Sequence, residues 1–198
     1  MERFGPTRRG GPVFRWLGEP LAIDLANTVM VVREGQAVDL LATPEEVRRW
    51  LEAERARLGD CGFAVAHLEE IGALRDAVRS LLAAAALRAT PPPAALERVN
   101  AASGAAPMAP QLTAGRDGSL QISEATAGDP LAQLLGRLAR SAIALLTGPE
   151  RVRLQVCAAP SCGMFYLGSR RWCCAACGNR ARAARHYRRT RARAAAKP

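Results

Sequence analysis

Five of the six cysteines of this 198-residue chain fall within its last 42 residues. Cys157 and Cys162 form a C-x4-C pair, ten residues follow, and Cys173 and Cys177 form a C-x3-C pair. A segment this short buries too little apolar surface to fold unaided. Two close thiol pairs separated by a short excursion fold back around one tetrahedral Zn²⁺, which supplies the missing folding free energy. Pro160 and Gly163 provide bends at the first pair, and Gly178 does so after the second. Met164, Phe165, Tyr166 and Leu167 suit the strand of a small hairpin packed on a parent domain. Four ligands suffice, so one cysteine is surplus. Cys174 is the candidate, although Cys174-x2-Cys177 is also a legal pair.

Other uses of clustered cysteine fit less well. Cys174-Ala175-Ala176-Cys177 is a CxxC, but redox pairs of that form sit in a βαβ context that this chain lacks. The spacing matches neither ferredoxin pattern. Burial as a free thiol accounts for a lone cysteine such as Cys61, not for five together.

Charge singles out the same segment. Residues 1–150 carry 16 basic and 18 acidic side chains, a net of −2, whereas residues 151–198 carry 12 basic and none acidic, a net of +12. Such asymmetry reports on a partner rather than on a fold, and an anionic polymer or membrane surface is the counterpart. The run 179–193, NRARAARHYRRTRAR, is rich in helix formers, with Asn179 as a candidate cap. Wound as a helix, it puts Ala181, Ala184, Tyr187 and Arg188 on one stripe and Arg182, Arg185 and Arg189 on an adjacent face. Arg180 lies beside that face, and Arg170 and Arg171 stand in the turn between the thiol pairs. Arginine's planar fork pairs bidentately with phosphate or with guanine edges. A solvated tail is the plainer reading, but an uninterrupted basic block joined to a metal knuckle favours nucleic-acid binding.

The remainder speaks of helices. Thr43-Pro44-Glu45-Glu46 has the form of a capping box and opens a helix over 44–58. Apolar residues at three- and four-residue steps predict a longer helix over 65–88, ended by Pro91, Pro92 and Pro93. A short helix at 94–102 follows, then a hairpin over 111–123 around Asp117-Gly118, then a helix over 130–147 behind Asp129-Pro130. Residues 151–157 alternate and read as a strand. Residues 1–16, rich in Gly, Pro and Arg, read as poorly ordered. The fold class is therefore mainly α with small β-hairpins (α+β): a helical domain over 17–148, then a zinc-stapled hairpin and basic helix over 151–193.

Within the apolar segment 21–32, Asp24, Asn27 and Thr28 need partners if buried. They are open to two readings. In one, Asp24 and Asn27 hold a small-molecule effector while Arg75 faces an anion. In the other, which is favoured, Asp24 pairs with Arg75 and Asn27 satisfies backbone groups. The chain has two histidines, and no Gly-rich phosphate loop, nucleophile elbow or metalloprotease pattern, so no enzymatic activity is expected.

The C-terminal segment resembles the CGNR zinc finger, a bacterial domain named for the tetrapeptide standing here as Cys177-Gly178-Asn179-Arg180. The match extends over Arg170-Arg171-Trp172-Cys173, the preceding C-x4-C, Phe165 and the trailing arginines. Two positions depart from the family's usual pattern, Cys174 where it has a small polar residue and Leu167 where it often has an acid. The rest resembles the ABATE domain that precedes this finger, in IDLANT (23–28), TPEEVRRWL (43–51), LRDAV (74–78) and Val99-Asn100. The resemblance implies a stress-linked transcription regulator with a helical N-terminal domain and a DNA-binding finger. The expectation is thus a cytoplasmic, effector-responsive DNA-binding protein with structural zinc, no membrane span and a homodimer through its N-terminal domain. An RNA-binding or ribosome-associated zinc module is the alternative.

Overall fold

The structure is a computed structural model, and it describes residues 14, 18–31, 37–59, 67–126 and 128–195. Cys61 and almost all of the segment 1–16 lie outside those residues. The segment 21–32 does not form one element. It opens as a single buried turn-and-a-half of helix, α1 (Leu21–Ala26), followed by strand β1 (Val29–Val31), which pairs antiparallel with β2 (Ala37–Asp39).

Helix α2 (Pro44–Ala53) begins with the full reciprocal capping box, in which the Glu46 N–H donates to the Thr43 hydroxyl and the Thr43 N–H to the Glu46 carboxylate. It stops short of the expected residue 58. The chain turns at Glu54, then resumes as the short helix α3 (Arg55–Leu58). Glu54 at that turn is buried and directs its carboxylate to Arg57. Helix α4 (Leu68–Leu87) ends with Arg88 in the left-handed region (φ 55°), where the Ala89 N–H reaches back to the Ala84 carbonyl ahead of the proline run.

Helix α5 (Pro93–Ala105) leads into a hairpin of β3 (Met108–Ala114) and β4 (Leu120–Thr126), paired over seven residues without a bulge. Helix α6 (Pro130–Thr147) is capped by Asp129, whose carboxylate accepts from the Ala132 N–H at 2.9 Å. Helices α1, α4, α5 and α6 enclose the core, filled by Ile23, Leu25, Trp50, Leu74, Val78, Leu82, Leu134 and Leu138.

The expected strand over 151–157 is split. Residues Pro149–Arg153 form a 3₁₀ turn and only Leu154–Val156 form β5, which pairs antiparallel with β6 (Phe165–Leu167). Proline at the first turn position favours the tight turn over extended backbone. Leu154 and Phe165 join the same apolar core as the helices, so the packing continues past Gly148. Helix α7 (Ala175–Ala195) starts four residues before Asn179, which therefore lies inside the helix and accepts from Arg182 instead of capping it.

The expected Asp24–Arg75 pair is not made. Arg75, buried on α4, instead forks onto Asp39 of β2, with Nη1–Oδ1 at 2.5 Å and Nη2–Oδ2 at 2.8 Å. Asp24 pairs with Arg57, which also serves Glu54 and donates to the Glu19 carbonyl. Each guanidinium takes the carboxylate that its own surroundings bring within reach: Asp39 of β2 lies against the buried Arg75, and the more exposed Arg57 of α3 reaches Asp24 of α1. Burial pushes Asp24 up to about 7, against the opposing pull of the Gly18 N–H and Arg57. Burial also works against Asp39, yet Arg75 and the Leu41 N–H together outweigh it and hold that carboxyl below its usual 3.8.

The Arg75–Asp39 fork generates a prediction. Asp39→Asn leaves a buried guanidinium with only the flanking Asp76, and is expected to cost about 2 kcal/mol, between the values of exposed and fully buried pairs. Because the folded carboxyl ionises below its unfolded value, the pair's contribution is complete above about pH 4 and is lost as the pH falls through the depressed value. Urea unfolding midpoints of wild type and variant, compared at neutral pH and near pH 3, should therefore converge on acidification.

Candidate metal centre

The site is assembled at the turn of the β5–β6 hairpin. Cys157 follows β5 directly, and its N–H donates to the Met164 carbonyl at 2.8 Å, closing a knuckle over Ala158–Gly163. Ser161 (φ 54°) and Gly163 (φ 69°) both adopt left-handed backbone there, which turns Cys162 back toward Cys157. Beyond β6 the chain loops through residues 169–174, held by the Tyr166 hydroxyl donating to the Arg170 carbonyl. Cys173 closes the loop, with its N–H directed at Cys157 Sγ at 3.4 Å. Cys177 comes from the first turn of α7.

The Sγ atoms of Cys157, Cys162, Cys173 and Cys177 all lie within 4.8 Å of one another. Three of the separations are 3.6 Å (162 to 173), 3.4 Å (173 to 177) and 3.6 Å (162 to 177). A tetrahedron with Zn–S bonds of about 2.3 Å has edges of about 3.8 Å, so the four sulfurs are spaced as its ligands require. Cys174 Sγ stands outside the cluster, 4.0 Å from Cys173 Sγ alone, so Cys173 and not Cys174 completes the set.

The chemistry of the donor set fits the same ion. Cys162 is drawn down to about 5, mainly by the hydrogen bond it receives from Cys173. That same hydrogen bond and burial hold the Cys173 thiol far above its ordinary value. Burial and the neighbouring Cys162 charge push Cys177 up to about 12. Thiols this close do not all ionise by themselves, because each new thiolate is opposed by those already formed. A divalent cation removes the conflict, and binding it displaces the protons.

Four thiolates and one Zn²⁺ carry a net charge of −2. Two features of the chain meet that charge. The amino end of α7, where the helix dipole is positive, abuts the cluster through Cys177. Arg180, the last residue of the CGNR tetrapeptide, donates to Cys177 Sγ at 3.2 Å. The glycine of that tetrapeptide has a steric role: a Cβ on Gly178 would lie 3.1 Å from Trp172 Cδ1. Trp172 packs against the cysteine cluster, and Arg171 stacks on its ring at 5.0 Å. Arg170 stacks on Tyr166 at 5.1 Å.

Asn27 is where the structure assigns a role that the residue pattern concealed. Its side-chain Nδ2 donates to the Phe165 carbonyl at 2.9 Å, and its Oδ1 accepts from the Phe165 N–H at 2.8 Å. One buried amide thus completes the outer edge of β6 and ties the metal-bearing hairpin to α1. Arg79 reinforces the joint. It donates to the Ala26 and Val29 carbonyls and lies over the Phe165 ring at 5.6 Å. Asp24, Asn27 and Arg75 therefore do not converge on a common cavity; each is engaged by a different internal partner. Arg57, Asp39 and Arg79 were not singled out from the sequence. The available signal was the four-residue step from Arg75 to Arg79, which puts both on one helix face turned toward the buried polar segment.

The nucleic-acid candidates are placed less tightly. Ala181 is buried and Ala184 half-buried, but every side chain from Arg185 to Ala192 is exposed. Arg170, Arg171, Arg180, Arg182, Arg185, Arg188 and Arg189 all reach solvent.

Two outcomes follow. Cys177→Ser should abolish stoichiometric zinc and melt the start of α7, whereas Cys174→Ser should keep one zinc per chain; metal analysis with far-ultraviolet circular dichroism separates the two. Asn27→Ala strands a buried N–H and a buried carbonyl at about 1–3 kcal/mol each. Hydrogen exchange at the Phe165 amide should accelerate by at least tenfold while zinc is retained.

Comparison with known proteins agrees with this geometry. Residues 19–149 match the ABATE family model, described as "Putative stress-induced transcription regulator", and residues 153–190 match the CGNR zinc finger model. No curated protein matches the chain. No helix among the described residues is long and apolar enough to cross a membrane. With four cysteine sulfurs converging as zinc ligands at the root of a basic helix, the chain belongs to the ABATE family and carries a C-terminal CGNR zinc finger that binds structural zinc.

Proposed function

We propose that the protein is a regulator that binds duplex DNA through α7, with the zinc cluster holding that helix at a defined angle to the N-terminal domain. The observation that carries this reading is the distal part of α7, an exposed helix with arginines around most of its circumference and no acidic residue anywhere in 151–198. Its 21 residues span about 31 Å, and an α-helix fits the major groove. Arg182, Arg185 and Arg189 share one face and Arg188 lies on the adjacent stripe, so phosphates on both flanks of a groove come within reach, while Arg180 lies at the metal end of the helix. Like charges along α7 repel each other, and a polyanion relieves that repulsion. Arg170 and Arg171, stacked on their aromatic neighbours, offer guanidiniums in fixed planes at the base of the helix.

In this reading the zinc is structural: four thiolates leave no open position, so the ion organises and does not catalyse. The chain performs no reaction of its own and works in a reducing compartment, where the thiols stay available to metal. The N-terminal domain serves as the platform on which the finger is seated.

Affinity for duplex DNA should fall steeply with salt, because each phosphate contact releases counterions. Replacing Arg182, Arg185 and Arg189 together with Ala should weaken binding and lower the slope of log K against log [salt] by roughly 2–3. Zinc content and the N-terminal unfolding transition should stay unchanged. Anisotropy titrations over a salt series read this out. Competition with structured RNA completes the test, and an RNA preference would replace duplex DNA as the partner.

A further inference from the structure

The β3–β4 hairpin has two unlike faces. Its register places Met108, Pro110, Leu112 and Ala114 of β3 on the same side as Leu120 and Ile122 of β4, with Leu112 directly opposite Ile122, and pairs Pro110 with Glu124 and Met108 with Thr126 toward the base. Ala109, Gln111, Thr113, Gln121 and Ser123 occupy the other side. The apolar side faces water: Leu112 is 71%, Leu120 73% and Ile122 77% exposed. The base of the hairpin is nevertheless held in place, because Arg140 of α6 donates to the Ala106 carbonyl at 2.8 Å and Ala106 is fully buried. A rigidly mounted apolar face on an otherwise charged protein marks an interaction surface.

We propose that this face is a homodimer interface, on which the hairpins of two copies pack apolar side to apolar side across a two-fold axis. Three observations select a second copy as the occupant. First, the six apolar residues present on the order of 500 Å² per copy, so two copies bury about 1,000 Å², the lower limit for a specific interface. Second, charge sorts the approach. Residues 1–150 are nearly neutral at −2 while residues 151–198 carry +12, so two copies meet at least electrostatic cost through the part that bears the hairpin. Third, the part of the face nearest the turn, Leu112, Ala114, Leu120 and Ile122, is apolar throughout, and such a patch is its own complement under two-fold symmetry.

Face packing rather than strand addition follows from the backbone. The Gly115 N–H bonds to the Ser119 carbonyl, so odd-numbered β3 residues bond inward and even-numbered ones turn toward the open edge. Pro110 is among the latter and has no N–H to offer there, which blocks that edge. Pairing along the β4 edge would leave the apolar face wet. The proposal is independent of what α7 binds.

The test is sedimentation equilibrium of the full zinc-loaded chain at tens of micromolar with no nucleic acid present. Wild type should run at twice the 21.1 kDa chain mass. Leu112→Glu with Ile122→Glu should raise the dissociation constant by about 100-fold or more and give a monomer with zinc retained. Gln121→Glu, which adds charge to the opposite face of the same hairpin, should remain a dimer. A monomeric wild type, a dimer that survives the double charge, or equal dissociation by Gln121→Glu would each overturn the proposal.

Discussion

The convergence of four cysteine sulfurs on one metal position is the constraint from which the C-terminal quarter of this protein derives its order. Strands β5 and β6 are three residues each, and the loop that follows them has no regular structure until α7 begins. None of these pieces is stable alone: two-stranded ribbons are marginal in water, and a helix of repelling arginines is weaker still. The thiolate cluster draws ligands from the hairpin turn, from the loop and from the first turn of α7, so one ion orders all three at once. Its net negative charge also meets the amino end of α7 and Arg180. The element most repelled by its own charges is thus anchored where an anion favours it.

That anchored unit is mounted on the helical domain, not tethered to it. Phe165 is in the common core, Asn27 hydrogen-bonds both polar groups of its backbone, and Arg79 covers its ring. A buried side-chain amide that satisfies a strand edge is selective, because its removal strands two polar groups with no water to replace it. The direction of α7 is consequently set by α1 and α4, elements far from it in sequence. A basic helix held this way presents its arginines in a fixed orientation, which matters for a groove-binding element and not for a solubilising tail.

Much of this architecture was legible in the sequence, for identifiable reasons. The capping box at Thr43, the Asp129-Pro130 start and the triple proline after α4 are local signals whose physics acts within a few residues. The cysteine spacing was as legible, since only a short closed loop brings such pairs together. Illegible features depended on distance in space. The pairing of Arg75 with Asp39 and of Asp24 with Arg57 required knowing which element passes which. The buried turn of α1 reads only as part of an apolar segment, because six residues are too few for helical periodicity to declare itself. Asn179 looked like a cap because caps are read from composition, yet the helix starts four residues earlier, at Ala175, ahead of the ligand Cys177.

The sequence alone determined that a zinc-stapled knuckle would follow a helical domain and that all the excess positive charge would sit on it. Ligand chemistry and charge are properties of the residues themselves and survive any arrangement of the chain. Tertiary structure alone decided which thiol is left out, which carboxylate meets which guanidinium, and that Asn27 joins the two parts. Those outcomes turn on ångström-scale proximity between distant segments, and proximity is settled by packing.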